Sequence, residues 1–343
     1  MSVQKDITIY DIADALSLSP ATVSRGLKDH PAIRKDTKKR IIEKAREMGY
    51  QHNLFASSLR RNRTNTIGVI VPRLNSYFMS AVIAGIEKVA SEAGYNLIIS
   101  QSLESVKKEM INVKTLFNSR VDGLLVSAAY DTENLKHFEL FLDKKIPLIF
   151  FDRILEHPQC TSIVIDNFKA GHEVTNHLLS QGCKRIVHIT ASLKRNVYAD
   201  RLNGYKKALE EHGISYDESL VLFNNLSDQA GTEAAEAILK MEPRPDAIFS
   251  ANDSCAVSCM RKLRLSGVRI PQDIAVAGFN NDPLSKVIEP NLTTVNYPGQ
   301  EMGEVAASVL IRRLTKSEGS SMNTMVLKHN LIVRQSSLRT SPH

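Results

Sequence analysis

The stretch SLSPATVSRGL at residues 17–27 carries side chains suited to a double-stranded polyanion. The Arg25 fork can donate two hydrogen bonds at once to a guanine O6 and N7, and Ala21 can meet a thymine methyl. Thr22 and Ser24 can donate to phosphates, as can free backbone N–H groups at a helix start. A second set is suited to gripping a polar small molecule. Asp152, Arg153, Arg201, Asn252, Asp253 and Asn280 bring charges and amides, and Asn75 precedes an aromatic pair, Tyr77 and Phe78. Neither set pairs a nucleophile with a base. His172, Glu173 and His177 suggest a zinc helix, but histidines five apart lie roughly 140° around a helix and cannot share a metal face. No G-x-S-x-G, P-loop or dinucleotide fingerprint occurs, so no metal, cofactor or enzyme activity is expected.

The first set must sit on a slim helix. Ser19 is a good N-cap and Pro20 suits the first helical position, where no donor is needed. Val23 and Leu27, four apart, share an inner face. The outer face is small and polar apart from Arg25, as a helix entering a groove requires. Upstream, Thr8-Ile9-Tyr10-Asp11 reads as a capping box, with Asp11 in place of the usual Glu, before the apolar Ile12 and Leu16. Ser17-Leu18 then joins two short helices in a helix-turn-helix, whose second member reads the major groove. A third helix is expected from about Asp36 to Met48, with Ile41, Ala45 and Met48 inward.

Charge supports the same reading. The chain has 343 residues, enough for two or three domains, and 43% hydrophobic content to fill their cores. Residues 1–65 hold thirteen Lys/Arg against seven Asp/Glu, which is +6 of the total +7. Phosphate neutralisation and counterion release supply affinity to such a basic end. The opening MSVQKDITIYD has no apolar h-region, and no run reaches the length of a membrane span. The four cysteines are scattered, and Cys255 and Cys259 read as small core residues, so a reducing cytosol is expected.

Beyond residue 66 the texture changes to alternating strands and helices. Strands are expected at 66–71, 96–100, 123–127, 148–152, 162–165, 185–190, 247–250 and 275–279. Helices are expected at 77–93, 107–119, 169–181, 200–212, 227–241, 253–266 and 299–314. This is the α/β pattern of parallel sheets covered by helices on both faces, with ligands beyond the carboxyl ends of the strands. A strand, a loop, an amphipathic helix and a Gly before the next strand recur near 66–99 and 185–222, which suggests two similar lobes. Between the basic end and the first lobe, Asn53 can cap a short helix through Leu59, followed by the charged linker RRNR at 60–63.

Several runs in order resemble the LacI/GalR family of transcription regulators. They are TIYDIADALSLSPATVSRGLKDHP at 8–31, MGY at 48–50, NLFASSLRRNRTNTIGVIVP at 53–72, VDGLLV at 121–126, FDR at 151–153 and RLNGY at 201–205. AND at 251–253, IPQDIAVAGFNN at 270–281 and PNLTTV at 290–295 complete the set. The resemblance implies a helix-turn-helix head over 1–50 and a hinge helix and linker over 51–65. It further implies a two-lobed core of doubly wound parallel sheets, like that of periplasmic sugar-binding proteins. An N-lobe over 66–165 would be completed by about 295–325, and a C-lobe over 166–294 by about 326–340, with crossings near Ile165, Thr294 and Met325.

The implied partners are a homodimer, a pseudo-palindromic operator and a small effector, here a sugar or sugar derivative, acting on a cytoplasmic repressor. Thr8, Ser19, Pro20, Ala21, Thr22, Ser24 and Arg25 are the DNA-binding residues of the head. Asn53, Ala56 and Leu59 are those of the hinge, where Leu59 matches a leucine that wedges into a minor-groove step. The resemblance implies that Asn75, Tyr77, Phe78, Asp152, Arg153, Arg201, Asn252, Asp253 and Asn280 line the effector cleft. The chain departs from the pattern at Ser17, where the turn often has Gly; Ser tolerates that position less well, but a backbone with φ below zero would accept it. Other departures are Arg34, Gln51-His52, Tyr77 and Asn280. Asn280 stands where an Asp often meets the effector, and so favours a neutral or acidic ligand over a cationic one. SSLRTSPH at 336–343 holds no leucine heptad, so a dimer is expected rather than a tetramer.

A chain starting near Thr66 should stay folded and dimeric yet lose duplex affinity. Fluorescence anisotropy across a salt series checks this, and an unchanged affinity and salt slope would remove the basic end as the reader.

Overall fold

The computed structural model describes residues 7–50, 63–315 and 324–339. The chain divides into a unit over 1–64 and a unit over 65–343.

In the first unit, helices α1 (Ile9–Leu16), α2 (Pro20–Leu27) and α3 (Lys35–Glu47) close on Ile12, Ala13, Val23, Ile41 and Ala45, with Leu16, Leu27 and Met48 around them. The α1 start is a reciprocal capping box: Thr8 N–H donates to Asp11 Oδ2 at 2.7 Å, and Asp11 N–H donates to Thr8 Oγ1 at 3.4 Å. Ser19 caps α2 by accepting the Thr22 N–H at 3.2 Å, with Pro20 in the first turn. The turn between them overturns one expectation. Ser17 is left-handed, φ 54°, because only that conformation lets Leu18 N–H reach the Ala13 carbonyl at 2.9 Å. The third helix starts at Lys35, one residue earlier than expected, and Arg34 provides no side-chain cap.

The second unit holds two parallel sheets. The N-lobe sheet runs β11-β5-β4-β3-β1-β2 and the C-lobe sheet β7-β6-β8-β9. Their strands are β1 (Thr66–Val71), β2 (Asn96–Gln101), β3 (Gly123–Val126), β4 (Leu148–Phe151), β5 (Thr161–Ile165), β6 (Ile186–Thr190), β7 (Val221–Phe223), β8 (Ala247–Ser250), β9 (Ala275–Ala277) and β11 (Thr324–Leu327). The crossing helices are α4 (Tyr77–Glu92), α5 (Val106–Asn118), α6 (Glu139–Asp143), α7 (Asn167–Ser180), α8 (Asn196–Glu211), α9 (Asp228–Leu239), α10 (Asp253–Leu265), α11 (Leu284–Val287) and α12 (Gly299–Thr315). The repeated strand–helix–strand is present in both lobes: β1 pairs with β2 and β6 with β7 in parallel, and Gly94 and Gly213 stand at φ 76° and 68° between helix and strand. That left-handed position suits a residue without Cβ.

The chain leaves the N-lobe after Ile165 and returns through β10 (Thr294–Asn296), which pairs antiparallel with β12 (Asn330–Ile332). The last crossing falls later than expected. Met325 lies inside β11, opposite Ile163 of β5, so the chain stays in the N-lobe through Leu327. Helix α8 begins at Asn196, a full turn before the expected Asp200, because burial of Val197 and Tyr198 draws that turn into the helix. The short strands β7, β10, β11 and β12 escape sequence reading because they are partly exposed, and so lack the continuous buried apolar run that marks the equally short β3, β4, β8 and β9. Cys255 and Cys259 are fully buried in α10.

Relieving the left-handed backbone should stabilise the head: Ser17→Gly is expected to slow exchange of the α1 and α2 amides, by about 1 kcal/mol in opening free energy. Hydrogen exchange on the full chain checks it.

Candidate functional site: a head helix and an interlobe cleft

On α2, Ala21 and Arg25 are exposed, and Pro20, Thr22 and Ser24 are half-buried. The Arg25 side chain makes no hydrogen bond or ion pair among the described residues, so its fork is uncommitted. The hydroxyls are less available. Thr22 Oγ1 lies 2.8 Å from Ser19 Oγ, and Thr8 Oγ1 donates to Asp11 Oδ2 at 2.6 Å, so Thr8 and Ser19 first serve their helix starts. Lys38 is held by Asp29 at 2.6 Å and Lys44 by Glu47 at 2.9 Å, whereas Lys35, Lys39, Arg40 and Arg46 stand exposed. Asn53, Ala56 and Leu59 lie outside the described residues.

Between the two lobes lies a cavity of about 650 Å³. Asn75, Tyr77, Phe78, Asp152 and Arg153 line it from the N-lobe, and Arg201, Asn252 and Asn280 from the C-lobe. Apart from Arg201, in the second turn of α8, these side chains sit just beyond carboxyl ends of strands or at starts of helices, where an α/β sheet leaves a crevice.

Arg201 is the least compensated of them. It is 3% exposed, donates from Nε to Asn167 Oδ1 and from NH1 to the Ala251 carbonyl, both at 2.9 Å, and stacks 3.5 Å over the Phe279 ring. Burial pushes its guanidinium below the ordinary value, and it forms no ion pair with a carboxylate among the described residues. Arg153, by contrast, is neutralised: NH1 meets Glu104 at 2.8 Å, NH2 donates to the Tyr198 hydroxyl at 2.9 Å, and the Tyr130 ring lies 4.3 Å away. Asp152, left-handed at φ 58°, accepts from the Tyr297 hydroxyl at 2.8 Å and from Ser127 at 3.1 Å. Phe78 stacks on Tyr297 at 4.2 Å. Asn252 is spent on structure, capping α10 at Cys255 N–H (2.9 Å) and donating to the Leu226 carbonyl (2.9 Å).

Several cavity residues escape the sequence reading: Glu104, Tyr130, Tyr198, Asp228, Asp282 and Tyr297. Tyr198 was findable, since it lies one turn before Arg201 on the same helix face. The three acids change the electrostatics inferred from Asn280 alone. Asp282 in particular is buried, its Oδ1 has no hydrogen-bond partner among the described residues, and burial raises its carboxyl to about 6. The loss of a carboxylate at position 280 therefore does not leave the cavity short of acids.

Asp253 is placed elsewhere than expected. It does not line the cavity but sits fully buried behind it, where it accepts from Thr294 Oγ1 and from the Asp282 N–H, both at 2.7 Å. It therefore ties α10 to β10. Burial, against those two hydrogen bonds, raises its carboxyl from 3.8 to about 7. The folded state then binds a proton that the unfolded state has released, so stability falls as pH rises from 3.8 towards 7. Asp253→Asn should flatten that fall, leaving the smaller one due to Asp282. Urea midpoints for both proteins at pH 5 and pH 8 check this, and equal slopes would reject it.

The head geometry and the two-lobed cleft agree with comparisons against known proteins. Residues 8–53 match the profile described as bacterial regulatory proteins, lacI family, and residues 175–337 match a periplasmic binding protein-like domain. The HTH-type transcriptional regulator RegA of Clostridium saccharobutylicum is 32% identical over 96% of this chain and 99% of its own. Catabolite control protein A of Priestia megaterium is 31% identical over the same shares. Among solved structures, a transcriptional regulator CelR–cellobiose complex is 28% identical with a TM-score of 0.73, covering 96% of this chain and 99% of that one. The lac repressor dimer bound to operator superposes with a TM-score of 0.86 at 24% identity over 98% of this chain and 100% of that one, which speaks for the fold. A basic helix-turn-helix head joined to a two-lobed binding core, with full-length relatives that are transcription regulators, makes this chain a member of the LacI family of DNA-binding bacterial regulatory proteins.

Proposed function

We propose that this regulator is a cytoplasmic homodimeric repressor whose interlobe cleft takes a neutral, hydroxyl-rich effector, a sugar or sugar derivative. The observation that carries the ligand class is the mixture of unmet needs in the cavity. Arg201 is a buried donor without a counter-ion, and Asp282 Oδ1 is a buried acceptor without a partner. An anion satisfies only the first and a cation only the second. A hydroxyl both donates and accepts, and Phe78 and Tyr297 offer an apolar face for a ring. A relative solved with cellobiose supports the class.

In this reading Arg201, Asp152, Arg153 and Asn280 hold the effector, with Asn75, Tyr77, Phe78 and Asn252 as the wall. On DNA, Arg25 reads a guanine, Pro20 and Ala21 meet base edges, and Thr8, Ser19, Thr22 and Ser24 engage phosphates. Asn53, Ala56 and Leu59 act in the minor groove. The effector favours one arrangement of the lobes, and that arrangement sets the spacing of the two hinge segments in the dimer. The residues 1–50 form the head, 51–65 the hinge, and the lobes follow with three crossings.

Two substitutions separate these roles. Arg25→Ala should cost about 1–3 kcal/mol on a selected operator and relax preference at one base pair per half-site, whereas a uniform loss over all sequences would make Arg25 a phosphate contact. Arg201→Ala should abolish the response to ligand and leave ligand-free DNA binding intact. Calorimetric titration of sugars, sugar phosphates and nucleobases into both proteins decides it: equal affinity moves the site elsewhere, and binding only of phosphates or bases rejects the sugar.

A further inference from the structure

The two rims of the cleft are built differently. On one, residues 194–198 at the start of α8 reach across from the C-lobe with four of their five side chains. Lys194 pairs with Glu133, and Arg195 donates to the Thr132 carbonyl. The Tyr198 hydroxyl lies 3.2 Å from that of Tyr130 and accepts from Arg153 at 2.9 Å. Asn196 makes the most specific contact. Its Nδ2 donates to the Asp152 carbonyl at 3.1 Å, and its Oδ1 accepts the Ile154 N–H at 3.0 Å. One amide thus grips two peptide groups of the other lobe, on either side of Arg153.

The gripped turn needs holding, because Asp152 is left-handed at φ 58°, a conformation that surrounding structure must enforce in a residue with a side chain. The neighbouring loop is firm as well. Buried Glu109 accepts the Ala129 N–H at 2.9 Å and the Thr132 hydroxyl at 2.7 Å. On the opposite rim, Tyr77 of the N-lobe and Leu284 of the C-lobe border the same cavity and are 56% and 49% exposed. Among the described residues no hydrogen bond or ion pair crosses there.

We propose that Asn196 is a positioning residue: its amide clasp on residues 152–154 shapes the N-lobe wall of the effector cleft and pins this rim, so that the lobes part and admit ligand at the Tyr77–Leu284 rim. At this short reach only asparagine carries a donor and an acceptor on two separate atoms of one planar group. Asp keeps the acceptor and loses the donor. Asp152 and Arg153 are tied within the N-lobe through Ile163 and Ala128, and the Asn196 clasp adds a hold on the same turn from the C-lobe. The consequence for regulation rests on the effector-cleft reading, but the clasp is testable with neither ligand nor DNA, so the two can fail separately.

Two readouts test it on the full chain. The first is hydrogen exchange at the Ile154 amide, whose partner is Asn196 Oδ1. The second is the interlobe distance distribution between spin labels at Lys107→Cys and Lys240→Cys, both exposed, with the four native cysteines buried. Labelled protein is diluted into unlabelled so that only distances within one chain are read. Asn196→Ala should lose the Ile154 protection and broaden the distribution. Asn196→Asp should keep the protection and still broaden it, which covers the case in which the alanine variant does not fold. Unchanged Ile154 exchange in the alanine variant overturns the proposal. So does an unchanged distance distribution in either folded variant, since a lower melting temperature alone would mark a local packing defect.

Discussion

The buried charge of Arg201 constrains the C-lobe more than any other group. A guanidinium withdrawn from water must find acceptors for its N–H groups or suffer a large desolvation cost. Arg201 has no carboxylate to meet, so neutral groups serve instead: the Asn167 amide oxygen, the Ala251 carbonyl and the Phe279 ring face. These partners lie in the first turn of α7 and just beyond the ends of β8 and β9. Placing them around one cation fixes how helix starts and strand ends meet. Asn167 is itself 2% exposed and turned back to the Ile165 carbonyl at 3.4 Å, at the point where the chain leaves the N-lobe. The charge that marks the binding cleft is therefore built into the crossing between lobes.

Around it the polar groups fall into two layers. Asp152, Arg153 and Glu104 meet one another and the tyrosines, and Arg73 lies 3.7 Å from Glu104, so the charges of this wall cancel. Asp253 lies behind the cavity and fastens α10 to β10. Among the described residues what stays open is small: one face of the Arg201 guanidinium, the Arg153 Nε–H and one Asp282 carboxylate oxygen. A site with few unmet groups set in aromatic walls gains selectivity from geometry, because a ligand that leaves any of them unpaired loses the desolvation energy already spent.

The head was legible because its signals are local. Thr8 with Asp11, and Ser19 with Pro20, announce helix starts within four residues, and the hydrophobic spacing then names Ile12, Val23, Ile41 and Ala45 as the core. Ser17 misled because its φ is set by a hydrogen bond from Leu18 to Ala13, which no residue type at position 17 declares. In the core, strand ends followed by polar residues pointed to Asp152, Arg201 and Asn280. Tyr130, Glu104 and Tyr297 reach the same cavity from distant parts of the chain, and nothing in their own neighbourhoods marks them. Asp253 shows the converse. An acid at a helix start beside a cleft has the composition of a ligand-binding residue, yet long-range packing turned it to Thr294.

The place of β11 bears on how the molecule is made. This strand completes the N-lobe sheet beside β5, yet every C-lobe strand from β6 to β9 lies between the two in sequence. The segment after it then seals the C-lobe: Ser336 Oγ accepts the Thr293 N–H at 2.8 Å and donates to the Val276 carbonyl at 2.6 Å. A chain emerging from the ribosome can finish its three-helix head from local contacts alone, whereas the N-lobe sheet must wait, its β5 edge unpaired, until the whole C-lobe has been made. Long loop closures of this kind are slow, and the open β5 edge is meanwhile a template for strands of other chains. For this fold, the late closure of the N-lobe sheet belongs to the topology itself and falls on the core.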